Sequence, residues 1–134
     1  MPTIRAYRET EYRVHGKTPA CLKVGSQCPE LAAIHQAHRT DCSLFITAYN
    51  PFGKCLDEAT NIVRQEDLAN ELKQRSLIFI DGIGQHPSKE WPGEPSYLVF
   101  GLKLEAAKTL GVKYEQNAII WTGSDAVPQL ILLR

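Results

Sequence analysis

Apolar and polar positions along the chain change period several times, and each change marks an element. Glu11 to Val14 and Ala20 to Val24 read as short strands around a turn at Gly16 to Pro19. Pro29 stands where a first helical turn tolerates it. Leu31, Ile34 and His38 then recur at helical spacing, which predicts a helix from Pro29 to Arg39. Ser43 to Tyr49 is β-branched, aromatic and apolar, a buried strand closed by the turn signal Asn50-Pro51-Phe52-Gly53. Asp57 and Glu58 open a long helix that continues to about Gln74, negative charge at its start suiting the helix dipole. Ala59, Ile62, Val63, Ala69 and Leu72, with Leu56 just ahead, predict the apolar stripe of that helix.

Ser76 to Ile83 and Ser96 to Leu102 are the next strands, followed by a helix from Leu104 to Val112. Asn117 to Thr122 is a strand, Gly123-Ser124-Asp125 a turn, and Val127 to Leu133 a last strand. Asp81 to Tyr97 carries three of the eight prolines and three of the nine glycines, which predicts a loop joining two strands. Residues 1–10 read as a polar lead-in. From Ser43 to Thr122 the order is strand, helix, strand, strand, helix, strand. This predicts one α+β domain over residues 1–134, with a ferredoxin-like split βαββαβ core extended by N-terminal and C-terminal strands. Right-handed crossovers then bring one set of strand ends, and the start of the long helix, to a single rim. The polar residues expected there are Asn50, Asn61, Arg64, Asp81, Gln85, His86, Glu94, Ser96, Gln116 and Asn117, with Trp91 in the covering loop.

Composition narrows the functional classes. Fifteen basic and fifteen acidic side chains cancel, so no global field favours nucleic acid or a membrane surface. No apolar run approaches the roughly 20 residues of a membrane helix, and no signal-peptide pattern opens the chain, which points to the cytoplasm. Cys21, Cys28, Cys42 and Cys55 lie seven, fourteen and thirteen residues apart and read as free thiols.

Among residues that could carry chemistry, Asn61 and Arg64 share one face of the long helix near its start. There they could receive a carboxylate or phosphate, or the arginine could pin the loop through Asp81 or Glu94. Asp81, His86 and Glu94 are the candidate acid–base set, against the simpler reading of a solvated loop histidine. Trp91 could cover a ligand or plug the core edge. Cys21, Cys28, His35 and His38 lack the close pairing of a zinc knuckle, so no metal or other cofactor is expected.

The stretches 45–52 (Phe-Ile-Thr-Ala-Tyr-Asn-Pro-Phe), Asn61-x-x-Arg64, 91–99 (Trp-Pro-Gly-Glu-Pro-Ser-Tyr-Leu-Val) and 116–121 (Gln-Asn-Ala-Ile-Ile-Trp) resemble the bacterial family catalogued as domain of unknown function 3293. The resemblance spans about Glu11 to Leu133 and implies no activity. It does imply that the motif-bearing segments are the ones the topology places on the rim. The leading expectation is a small bacterial module that binds an anionic or polar small molecule through Asn50, Asn61, Arg64, Trp91, Glu94, Ser96, Gln116 and Asn117. The alternatives are an enzyme acting on a nucleotide-like molecule by acid–base chemistry, and a homodimer formed along the last strand.

Overall fold

The computed structural model describes residues 4–89 and 92–134. In chain order these form α1 (Ile4–Glu9), β1 (Glu11–Val14), β2 (Ala20–Leu22), α2 (Pro29–Ala37), β3 (Ser43–Ile46) and a 3₁₀ turn (Pro51–Gly53). After them come α3 (Glu58–Gln74), β4 (Phe79–Gln85), β5 (Glu94–Phe100), α4 (Leu104–Lys113), β6 (Ala118–Thr122) and β7 (Pro128–Leu132). All seven strands join one sheet in the order β2-β1-β4-β5-β3-β6-β7. Every neighbouring pair is antiparallel. The fold is α+β.

The sheet is covered on both faces, which explains why β3 reads as an unbroken apolar run. Phe45, Leu98, Phe100 and Ile120 pack with Leu31 and Ile34 of α2 on one side. Leu44, Ile46, Val99 and Ile119 pack with Leu68 and Leu72 of α3 and with Ala107 and Leu110 of α4 on the other. Alternation along each strand divides the side chains between the two cores. α3 begins where the charge pattern places it, with the Asp57 carboxylate accepting the Thr60 backbone N–H at 3.3 Å as its N-cap.

Three expectations are corrected. Residues 1–10 are not all a lead-in: α1 occupies Ile4–Glu9 and is tied to β1 where the Tyr12 hydroxyl donates to the Tyr7 carbonyl at 2.8 Å. Of the predicted stripe of α3 only Leu72 is buried; the other buried residues of the helix are Asn61, Gln65 and Leu68. Ile62 and Val63 are 43% and 56% exposed. The N-terminal half of α3 lies over the exit of β3, where backbone N–H groups need acceptors, so polar demand there sets the rotation of the helix. Finally, most of the supposed loop is strand, because β4 runs to Gln85, β5 starts at Glu94, and Gly82 and Gly84 pair with Ser96 and Glu94.

Gly82 stays in the ladder because the Arg13 carbonyl and the Phe45 ring crowd it. A Cβ there would sit 2.5 Å from Arg13 O and 2.9 Å from Phe45 Cε2. Gly82→Ala is therefore expected to lower stability by about 1–3 kcal/mol, read as a lowered urea midpoint. An unchanged midpoint would show that β1 and Phe45 do not press on this position.

Candidate functional site

The rim is built around the exit of β3. Asn50 takes a left-handed conformation (φ 51°) that asparagine tolerates better than most residues. Its backbone N–H donates to Asn61 Oδ1 at 2.9 Å, and its side-chain Oδ1 accepts from Asn61 Nδ2 at 2.8 Å and from the Leu56 N–H at 3.0 Å. Its Nδ2 donates to Glu94 Oε2 at 2.7 Å. One amide thereby joins the 3₁₀ turn, α3 and β5. Gln65 does similar work one turn along α3, its Oε1 accepting the Ala48 N–H at 2.8 Å.

Arg64 completes the clamp. Its guanidinium donates to the Ala48 carbonyl at 2.7 Å and the Tyr114 carbonyl at 2.8 Å, and it meets Glu115 Oε1 at 3.4 Å. The arginine thus ties the β3 exit to the end of α4; its partners are not Asp81 or Glu94. Gln116 works beside it, Nε2 donating to the carbonyls of Tyr49 and Tyr114 at 3.1 Å each. Ser96, buried in β5, donates to the Glu94 carbonyl at 2.9 Å.

Glu94 is the chemically unusual member. Burial raises its carboxyl pKa, and the Asn50 hydrogen bond opposes that only in part. Its charge also reaches Tyr7, Tyr12 and Tyr49, whose hydroxyl pKa values are raised chiefly by their own burial. No ion pair with a described residue neutralises it.

Outside this layer lies an open cavity of about 560 Å³. Its polar wall is Tyr7, Lys54, Asn117 and Arg134, and its apolar wall is Ile4, Phe52 and Leu132. Phe52 is held at φ 54°, an outlier for so bulky a residue, and its ring lies 3.9 Å beneath the Arg134 guanidinium. Asn117 Nδ2 is buried with no hydrogen-bond partner. Its amide lies close enough to Tyr7 to oppose the rise in the tyrosine's pKa, without closing a bond of good geometry.

The other predicted residues are not brought together. Asp81 opposes Tyr97 while Glu94 opposes Gly84. A three-residue offset reverses side-chain direction, so Asp81 and Glu94 lie on opposite faces. His86 bonds Glu9 at 3.0 Å and Ser88 at 2.8 Å instead of joining either carboxylate. Gln85 ends β4 opposite Glu11, and Trp91 lies outside the described residues. His35 bonds Ser43 at 2.7 Å and His38 stacks on Phe100, while Cys28 is buried and Cys21 exposed, so the Cys/His string is divided between core and surface. Among the described residues no three metal-ligating side chains gather.

Residues 46–119 match the family described as Protein of unknown function (DUF3293). The chain belongs to this family. No curated protein matches it, and no solved structure does. In this DUF3293 member the matched segment holds the whole clamp, Asn50, Asn61, Arg64, Glu94 and Gln116, together with Phe52, Lys54 and Asn117 of the cavity. Ile4, Tyr7, Leu132 and Arg134 come from outside it. Sequence reasoning missed all four, since a residue on a short lead-in or a last strand gives no local sign that the fold returns it to the rim.

Two predictions follow from this geometry. Asn50→Gly keeps the left-handed turn but orphans its partners, and is expected to cost about 2 kcal/mol; Asn50→Ala should cost about 1 kcal/mol more, in urea titrations of both variants. Equal losses would mean the turn does not need its left-handed φ. For Glu94 the folded pKa lies above the unfolded one, so its contribution is fully present below the unfolded value and is lost as pH rises through the folded value. Glu94→Gln should therefore gain melting temperature relative to wild type as pH rises from 4 towards 8. Parallel curves would place Glu94 in water.

Proposed function

We propose that this protein is a small-ligand module that takes an anionic group in the rim cavity. The observation that carries the proposal is the pairing state of its cations. Lys54 and Arg134 face one cavity, and neither forms an ion pair with a described residue. Two exposed cations beside the buried, unpartnered Asn117 amide donor favour a carboxylate or phosphate over a neutral guest. The cavity volume is that of a metabolite site. Arg64, the cation that sequence spacing favours, acts through the clamp, holding the floor on which the cavity is built.

We read the four central strands, in the order β6-β3-β5-β4, as a ferredoxin-like split core with β1, β2 and β7 added; the strand order and antiparallel pairing support this. A bacterial cytoplasmic setting is supported by the family resemblance and by four free cysteines. A second reading, an enzyme using acid catalysis on a polar small molecule, is favoured by one observation, the buried carboxyl of Glu94 beside Tyr7.

The test is titration of the purified protein with acetate and with inorganic phosphate, followed by amide chemical shifts. Lys54→Ala should weaken binding about tenfold or more with the melting temperature unchanged, the size expected for a lost charge-assisted contact. Wild-type affinity in Lys54→Ala and Arg134→Ala alike would refute the assignment.

A further inference from the structure

We infer that the anion taken by the rim cavity carries an apolar body, making it an amphiphilic carboxylate of the short fatty acid or aromatic acid class. This rests on the anion-binding proposal and narrows it. The large apolar side chains most exposed among the described residues are Ile4, Phe52, Ile62, Val63, Ile78, Val112 and Leu132. Three of these, Ile4 at 50%, Phe52 at 37% and Leu132 at 49%, line this one cavity. They arrive from α1, the 3₁₀ turn and β7, so no single amphipathic element explains their meeting. The left-handed φ of Phe52 holds its ring in the cavity wall, where the Arg134 guanidinium covers it. An inorganic anion would satisfy Lys54 and leave this apolar wall wet.

Sign and shape both restrict the occupant. An alkylammonium would meet Lys54 and Arg134 as like charges. A second copy of the chain, docked by the same face about a two-fold axis, would press the same two cations towards their own equivalents. A small amphiphilic anion covers the apolar wall and neutralises the cations together.

The full chain is titrated with acetate, hexanoate, benzoate and hexylammonium by calorimetry and amide chemical shifts. Each buried methylene is worth about fourfold in affinity, so hexanoate and benzoate should bind at least tenfold tighter than acetate, with no saturable binding of hexylammonium. Leu132→Ser should weaken hexanoate several-fold and leave acetate unchanged, whereas Lys54→Ala should weaken both. Ile4→Ser, which lies outside the sheet, provides the same contrast if Leu132→Ser disturbs β7. Equal affinity for acetate and hexanoate, insensitive to both serine variants, would overturn the apolar body while leaving the anion proposal standing. No binding of any carboxylate overturns both. A wild-type dimer that Leu132→Ser converts to monomer overturns the inference in favour of a protein contact.

Discussion

The chain leaves β3 from inside the sheet, between β5 and β6, and must turn towards α3 with its first residues, Ala48 and Tyr49, shut away from water. Buried donors without acceptors are costly; the N–H groups of Phe52, Gly53 and Lys54 bond backbone carbonyls, but those of Ala48, Asn50 and Leu56 depend on side chains brought to them. Asn61 and Gln65 on α3 and Asn50 in the turn supply the acceptors. This one requirement fixes the rotation of α3, the left-handed turn and the attachment of Glu94.

It also explains where the sequence is legible and where it is not. Strands such as β3, buried on both faces, announce themselves by composition, and the start of α3 is marked by Asp57. The core-facing side of α3 is not legible from hydrophobicity, because the half of the helix nearest the β3 exit buries amides and leaves Ile62 and Val63 outside. The glycines of β4 mislead for a related reason. Gly82 and Gly84 have the composition of a turn, but the requirement at Gly82 is close approach of the Arg13 carbonyl and the Phe45 ring, which only tertiary packing creates.

The rim itself was legible, since strand order alone brings Asn50, Asn61, Glu94 and Gln116 to one end of the sheet. What each residue does there was not. Arg64 has the spacing of an anion receiver, yet an arginine within reach of the Ala48 and Tyr114 carbonyls gains more from several donors in a fixed fork than from one guest. Asp81, His86 and Glu94 are near in sequence, but strand alternation separates the first from the last, and Glu9 of α1 takes the second.

A division of labour results. Residues whose hydrogen bonds are filled by the fold, Asn50, Asn61, Arg64 and Gln116, have little capacity left for a ligand, and all lie inside the segment that matches DUF3293. Lys54 and Arg134, which form no ion pair with a described residue, and Ile4 and Leu132, which keep exposed apolar surface, stand on the layer above. Of these four only Lys54 belongs to the matched segment. The clamp sets the position of the cavity floor, and the flanking elements α1 and β7 set what the cavity can hold. Glu94 marks the boundary between the layers: it is bonded inward to Asn50, burial raises its carboxyl pKa, and its charge acts on Tyr7 in the cavity wall.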